Sequence, residues 1–314
     1  MLRHSGALTF IAAAALGLVA ACGGSTGGSS AAPASGPNAT IAPPTGVQHG
    51  GLIVNGESRT YRLYVPPTLD LEHSTALVVA LSGCPGNGDQ MSGMTNLDDR
   101  ASANGFIAVY PDPSGGATAG GACWEAVSAQ ASPDVTNDVT FIGQLINKVS
   151  TQYPVDKARV FAVGFSAGGL FAYTLACEMS DRFAAIASVA GVMTTNVSCH
   201  PAQPVSVLEI HGTSDAKAAY TGNDPFAPTV KTVQLWTTTD GCTATPTQTT
   251  SGIITSSDWT GCNMRKTVRL VTVRGGHHAW FGSGMDPVTG EPDATAEVWS
   301  FLSHQTPPTP PAAG

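Results

Sequence analysis

One stretch constrains this 314-residue chain more than any other: a buried run that ends at a serine between two glycines. Residues Arg159 to Phe165 are mostly apolar and predict a short buried strand. Ser166 follows, flanked by Gly164 and Gly168, and the apolar run Leu170 to Ala176 predicts a helix. A serine in such a sharp turn has a strained backbone, and its flanking positions must lack bulk because strand and helix pass close together. The stretch therefore predicts an exposed, nucleophilic serine at a strand-to-helix turn.

The same Gly-x-Ser-x-Gly pattern occurs a second time, around Ser25. That copy lies in a Gly/Ser-rich tract with no strand before it and no helix after it. Context therefore favours Ser166 and rejects Ser25.

Charge excludes one class of partner. Charged residues make up only 11% of the chain, and 14 basic residues against 22 acidic ones give a net charge of −8. Lys and Arg are not clustered anywhere in the sequence. Because phosphate binding needs concentrated positive charge, we expect no nucleic-acid partner.

The N-terminus indicates export. Residues 1–21 combine a basic start at Arg3 with an apolar run from Ala7 to Ala21, which is short for a membrane span and is typical of a signal peptide. Val19 to Cys22 resembles a bacterial lipobox, in which Cys22 would be lipidated; the alternative is an ordinary signal peptide cut near Ala21. Residues 22–46, rich in Gly, Ser and Pro, predict a flexible tether, so membrane contact is expected only through a lipid on Cys22.

The cysteines agree with export. There are seven, and setting Cys22 aside leaves six, an even number suited to disulfides in an oxidising compartment. Six cysteines allow fifteen connectivities, so the sequence leaves the pairing open. No two have the short spacing of a metal site, and we expect no metal.

Residues 47–304 predict one α/β domain, followed by a disordered tail over residues 305–314. The domain opens with a hairpin around Asn55 and Gly56, and Cys242 to Cys262 is predicted to be a closed surface loop. Between them, buried strands alternate with helices, which predicts a mostly parallel central sheet with helices on both faces. The predicted strands are Thr75 to Leu81, Gly105 to Tyr110, Arg159 to Phe165, Ala184 to Val189, Val205 to Ile210 and Thr267 to Val273.

A serine nucleophile needs a base and an orienting acid, which follow in the chain order Ser, Asp, His in this type of fold. Asp215 follows the strand Val205 to Ile210, and His277 or His278 follows the last predicted strand. Asp181 and Asp240 are poorer candidates, since neither directly follows a clear strand.

The oxyanion of the reaction needs preorganised donors. We expect one from the backbone N–H of Ala167, directly after the nucleophile, and the other from the N–H of Cys84, in the loop after the strand Thr75 to Leu81.

In these motifs the sequence resembles exported α/β-hydrolase esterases related to polyhydroxybutyrate depolymerases, feruloyl esterases and acetylxylan esterases, including lipoprotein members. The resemblance runs from about Arg59 to Leu302. It implies an α/β-hydrolase fold and a serine esterase that acts on carboxylic esters without metal or organic cofactor. The substrate stays open among hydroxyalkanoate oligomers and the feruloyl or acetyl esters of plant polysaccharide. The matching motifs are Arg62 to Pro66, Gly83 to Gly86, Cys123-Trp124, Tyr153 to Asp156, Arg159 to Gly169, Arg182 to Ala187, His211 to Asp215 and Gly275 to Trp280.

The resemblance also implies roles for single residues. Alignment on Trp280 makes His278 the catalytic histidine, and Trp124 and Trp280 are expected to contact the substrate. The implied disulfides are Cys84–Cys123, Cys177–Cys199 and Cys242–Cys262. In one departure, Ser82 stands where the family commonly has histidine.

Two alternatives to an esterase remain at this stage. One is a non-catalytic cell-surface binding protein on the same fold, supported only by Ser82 and by His277, which stands where the family motif has a glycine. The other is a serine peptidase, for which the chain shows no inserted substrate-selecting domain.

Overall fold

The computed structural model describes residues 43–118, 121–125, 135–195, 198–243 and 245–305. The predicted signal peptide, the lipidation site at Cys22, most of the tether and the tail after residue 305 lie outside these ranges. Among the helices of the described ranges, none has the length and apolar character needed to cross a bilayer.

A ten-stranded sheet forms the centre of the fold, in the order β1-β2-β4-β3-β7-β8-β9-β12-β11-β10. The six strands from β4 to β12 in this order are mutually parallel, and the two strands at each end are antiparallel additions. A separate antiparallel ribbon joins β5 and β6. The strands are β1 (Gly46–Val54), β2 (Glu57–Val65), β3 (Thr75–Leu81), β4 (Ile107–Pro111), β5 (Gly115–Thr118), β6 (Gly121–Cys123), β7 (Val155–Phe165), β8 (Ala185–Val189), β9 (Ser206–Gly212), β10 (Thr247–Ser251), β11 (Ile254–Trp259) and β12 (Val268–Val273).

Helices cover both faces of the sheet, as the alternating pattern predicts. Along β3, Leu77 and Val79 pack into the core beneath one set of helices, while Val78 and Ala80 face the other set. The first face is covered by α3, α4 and α5, and the second by α1, α2 and α6. The helices are α1 (Gly88–Thr95), α2 (Leu97–Asn104), α3 (Val135–Gln152), α4 (Ala167–Glu178), α5 (Thr229–Thr239) and α6 (Ala294–Ser303), with a short 3₁₀ turn at Asn263–Arg265.

The sequence prediction is correct at one end of the sheet and wrong at the other. The hairpin at the start is confirmed: Asn55 and Gly56 both have positive φ, 51° and 89°, and join β1 to β2. The segment from Cys242 to Cys262 was wrongly predicted as a loop, because it contains β10 and β11, which extend the sheet beyond β12. Its threonines and Ile254 suit a strand, and Gly252 at φ 60° turns the chain between the two strands.

All three disulfides implied by the resemblance are confirmed. Cys84–Cys123 ties the loop after β3 to β6, and Cys177–Cys199 holds the end of α4. Cys242–Cys262 closes the base of the β10–β11 hairpin. Three formed disulfides suit an oxidising compartment.

Candidate active site

Ser166 occupies the sharp turn between β7 and α4 that the sequence predicts. Its backbone has φ 54° and ψ −117°, a conformation that non-glycine residues rarely adopt. A Cβ at Gly164 would lie closer than 3.0 Å to backbone atoms of Gly168 and Gly169, and one at Gly168 would collide with the backbone of Leu81. The glycines are therefore required by close approach, and the turn presents the serine side chain above the sheet.

The structure brings Ser166, His278 and Asp215 into one hydrogen-bonded chain. The Oγ of Ser166 lies 2.8 Å from Nε2 of His278, and Nδ1 of His278 lies 2.7 Å from Oδ2 of Asp215. These residues follow β7, β12 and β9, respectively, at the carboxyl ends of the parallel strands. His277, the other candidate, instead lies 2.8 Å from Asp286.

Asp215 is held as a charged acceptor. Its Oδ1 accepts hydrogen bonds from the N–H groups of Lys217 and Ala218, at 2.8 and 2.9 Å. Burial acts to raise its pKa, but the neighbouring His211 ring and the hydrogen bond from His278 outweigh burial and hold the pKa of Asp215 well below its usual range. The carboxylate is thus ionised whenever His278 needs an acceptor for its Nδ1–H.

Behind Asp215, three buried polar side chains continue the network. His211 Nδ1 lies 2.7 Å from Glu209 Oε1, and the hydroxyl of Tyr173 donates to Glu209 Oε2 at 2.7 Å. No sequence motif assigns a role to Glu209 or Tyr173, and His211 enters only as part of the motif His211 to Asp215. A signal was nonetheless present, because Glu209 and His211 alternate with apolar residues in a fully buried strand, where charged groups require partners.

Cys84, the expected second oxyanion donor, lies in the wall of a cleft of about 370 Å³ at Ser166. Ala167 is the first residue of α4, so its N–H has no acceptor within the helix. Four apolar side chains dominate the cleft, Phe165 and three methionines. The full lining is Ser82, Gly83, Cys84, Pro85, Gly86, Gln90, Met91, Met94, Phe165, Ser166, Lys217, His278 and Met285.

The expectation that Trp124 and Trp280 contact the substrate is wrong. Both are almost fully buried, and neither lines the cleft. Trp124 donates its indole N–H to the carbonyl of Ser82 at 2.9 Å and stacks on Phe171. Trp280 donates to Thr295 of α6 at 2.9 Å. Their large rings pack into the cores of the two faces, so they support the loops that carry Ser82 and His278 rather than the substrate.

Within the described ranges, no group of three or more His, Cys, Asp or Glu side chains is arranged to hold a metal ion.

Comparison with known proteins identifies the family. The family model described as Esterase PHB depolymerase matches residues 59–221. The chain belongs to this esterase family. With the relatives described next, this makes the chain a carboxylic ester hydrolase.

Relatives span most of the chain. NocK of Nocardia uniformis subsp. tsuyamanensis, which is named as an esterase, is 31% identical over 256 residues, covering 74% of this chain and 73% of that protein. "Probable feruloyl esterase C" of Aspergillus clavatus is 31% identical over 268 residues, covering 81% and 86%. Among solved structures, an acetyl xylan esterase from Aspergillus awamori has a TM-score of 0.60 at 17% identity, covering 82% of this chain and 99% of that one, which shows a shared fold.

Proposed function

We propose that this protein is an exported serine esterase in which Ser166, His278 and Asp215 form the catalytic triad. The observation that carries the proposal is the continuous hydrogen-bond chain from Ser166 Oγ through His278 to Asp215, with contacts of 2.8 and 2.7 Å at a strained turn. Strain at a residue that also makes an aligned catalytic contact is typical of a functional position.

The reaction follows from these contacts. Ser166 Oγ attacks the ester carbonyl carbon while His278 Nε2 takes its proton, and the N–H groups of Ala167 and Cys84 stabilise the negative oxygen. The alcohol leaves with the proton from His278, so Ser166 carries the acyl group. Water, deprotonated by His278, then releases the acid and restores Ser166.

The cleft favours an aromatic acyl group. Phe165, Met91, Met94 and Met285 line it, and methionine sulfur makes favourable contacts with aromatic rings. The relative named as a feruloyl esterase supports the same choice. We therefore propose that feruloyl-type esters are better substrates than acetyl esters.

Two measurements test this function. Ser166→Ala should lower kcat for p-nitrophenyl acetate by more than about 1,000-fold, and a fluorophosphonate should label the wild type but not this variant. Unchanged hydrolysis, or no labelling of the wild type, would exclude Ser166 as the nucleophile. With the same leaving group, p-nitrophenyl ferulate should exceed p-nitrophenyl acetate in kcat/KM by about tenfold. Equal values would remove the aromatic preference and leave the triad intact.

Export with lipidation at Cys22 is a further part of the proposal. The N-terminal sequence supports both the export and the lipidation, and the three disulfides support the export. In the native host, Cys22→Ser should move the enzyme from the membrane fraction to the soluble exported fraction. The same distribution for both proteins would favour an ordinary signal peptide.

A further inference from the structure

A second acid–histidine pair lies behind the triad, and the reaction described above does not use it. Glu209 and His211 are both fully buried. His211 Nε2 lies 3.4 Å from Oδ2 of Asp215, the oxygen that also accepts from His278 Nδ1 at 2.7 Å. Two imidazole rings therefore share one oxygen of the triad acid.

The acceptors around His211 determine where its protons lie. Its Nε2 is 2.8 Å from the carbonyl oxygen of Ala218, which can only accept, so Nε2 carries a hydrogen. One proton also lies between Nδ1 and Glu209 Oε1, since two facing lone pairs would repel at 2.7 Å. Burial opposes a charge on His211, but hydrogen bonds to Asp215 and Glu209 outweigh it and raise the pKa of His211 to about 10. Burial also raises the pKa of Glu209, but the larger rise at His211 favours an imidazolium paired with a carboxylate.

The other groups that face this pair carry no charge. Tyr173, on α4, donates to Glu209, and burial raises the pKa of Tyr173 well above its usual value. Tyr220 lies edge-on to the His211 ring, with centroids 6.0 Å apart. The neighbour of His211 on β12 is Thr272. Outside the Glu209–His211 pair, the charged group that His211 faces is therefore Asp215.

We propose, building on the esterase mechanism above, that Glu209 and His211 are positioning residues: protonated His211 fixes Asp215 and the 215–218 turn, and extends activity toward lower pH. The bond from His211 to Ala218 holds the turn whose N–H groups bind Asp215 Oδ1. A positive charge on His211 repels a positive charge on His278, because both rings lie against the same oxygen of Asp215.

Glu209→Gln tests the charge while keeping the shape. The amide NH₂ of Gln can donate to Nδ1 and its carbonyl can accept from Tyr173, which preserves every bond but leaves His211 neutral. His211 Nε2 and His278 Nδ1 are at most about 6 Å apart, because they lie 3.4 and 2.7 Å from the same oxygen of Asp215, and Glu209 offsets part of the repulsion between two positive rings. We expect the acid limb of the kcat/KM profile to move up by about half a pH unit. Glu178→Gln, an exposed site on the same helix as Tyr173, is the matched control and should leave the limb in place.

An unmoved acid limb in a folded Glu209→Gln enzyme would overturn the proposal. If that variant does not fold, ¹⁵N-histidine NMR of the wild type decides instead. The buried His211 should keep both ring nitrogens protonated from about pH 6 to 8, and a neutral ring there would overturn the proposal. Failure of the esterase assignment gives a different result, because hydrolysis would then survive Ser166→Ala whatever the charge on His211.

Discussion

Gly164→Ala should damage both the stability and the activity of this enzyme, although it adds a single methyl group. The new Cβ would lie closer than 3.0 Å to three backbone atoms of Gly168 and Gly169, in the first turn of α4. Backbone cannot yield as a flexible side chain does, so the cost should be near the upper end of the about 1–3 kcal/mol typical of overpacking. For a domain of this size, that corresponds to a fall in Tm of about 5–10 °C.

Relief of the clash would move α4 away from β7 and carry Ser166 with it. The contact of 2.8 Å between Ser166 and His278 leaves little tolerance, and a misplacement of about 1 Å costs about 100-fold in rate. Gly93→Ala is the matched control, since nothing lies within 4 Å of a Cβ there and α1 should gain about 0.5–1 kcal/mol. Thermal unfolding and kcat for p-nitrophenyl acetate measure both effects. A Gly164→Ala enzyme as stable and active as the control would refute the close-packing argument.

Three further outcomes are expected. Replacing Cys84 and Cys123 by Ala should lower the free energy of unfolding by about 4 kcal/mol, judged from the 39-residue separation, and should lower kcat as the loop loosens. Chemical denaturation measures the first effect and steady-state kinetics the second. An unchanged free energy of unfolding or an unchanged kcat would contradict this prediction. Burial raises the pKa of Asp240 to about 7, so its contribution to stability is present at about pH 4 and lost as pH rises through 7. Asp240→Asn should flatten that part of a Tm-versus-pH curve, and an unchanged slope would count against it. Ser82→Ala should raise Tm by about 2 °C, because it removes a buried hydroxyl without a hydrogen-bond partner; a clear fall would mean that the hydroxyl is satisfied.

Local sequence patterns were sufficient for the central strands and for selecting Ser166, Asp215 and His278, whose side chains form one hydrogen-bonded chain in the structure. The run Thr75 to Leu81 has no polar interruption, and it is a fully buried parallel strand in the structure. The strand-to-helix turn at Ser166 combines an apolar run, two glycines and a helix, so several independent signals agree there.

Features that depend on packing between distant segments were not predictable in this way. A threonine-rich segment such as Thr247–Ser251 has an exposed side chain at every position, so it shows no alternation and became a strand only by pairing with β11. The burial of Trp124 depends on Phe171, 47 positions away in sequence order, which no local pattern reveals. His211 and Glu209 could be recognised as unusual in a buried strand, but their link to Asp215 required the fold.

The position of the triad within the sheet has a consequence for how the enzyme fails. Ser166, Asp215 and His278 follow strands that lie within four adjacent parallel positions, β7 to β12, away from both antiparallel margins. Backbone amides there should be the last to exchange with deuterium, whereas those of the exposed β10 should exchange early. Local opening at the margins therefore leaves catalysis intact, and loss of activity on heating reports the cooperative unfolding of the whole domain.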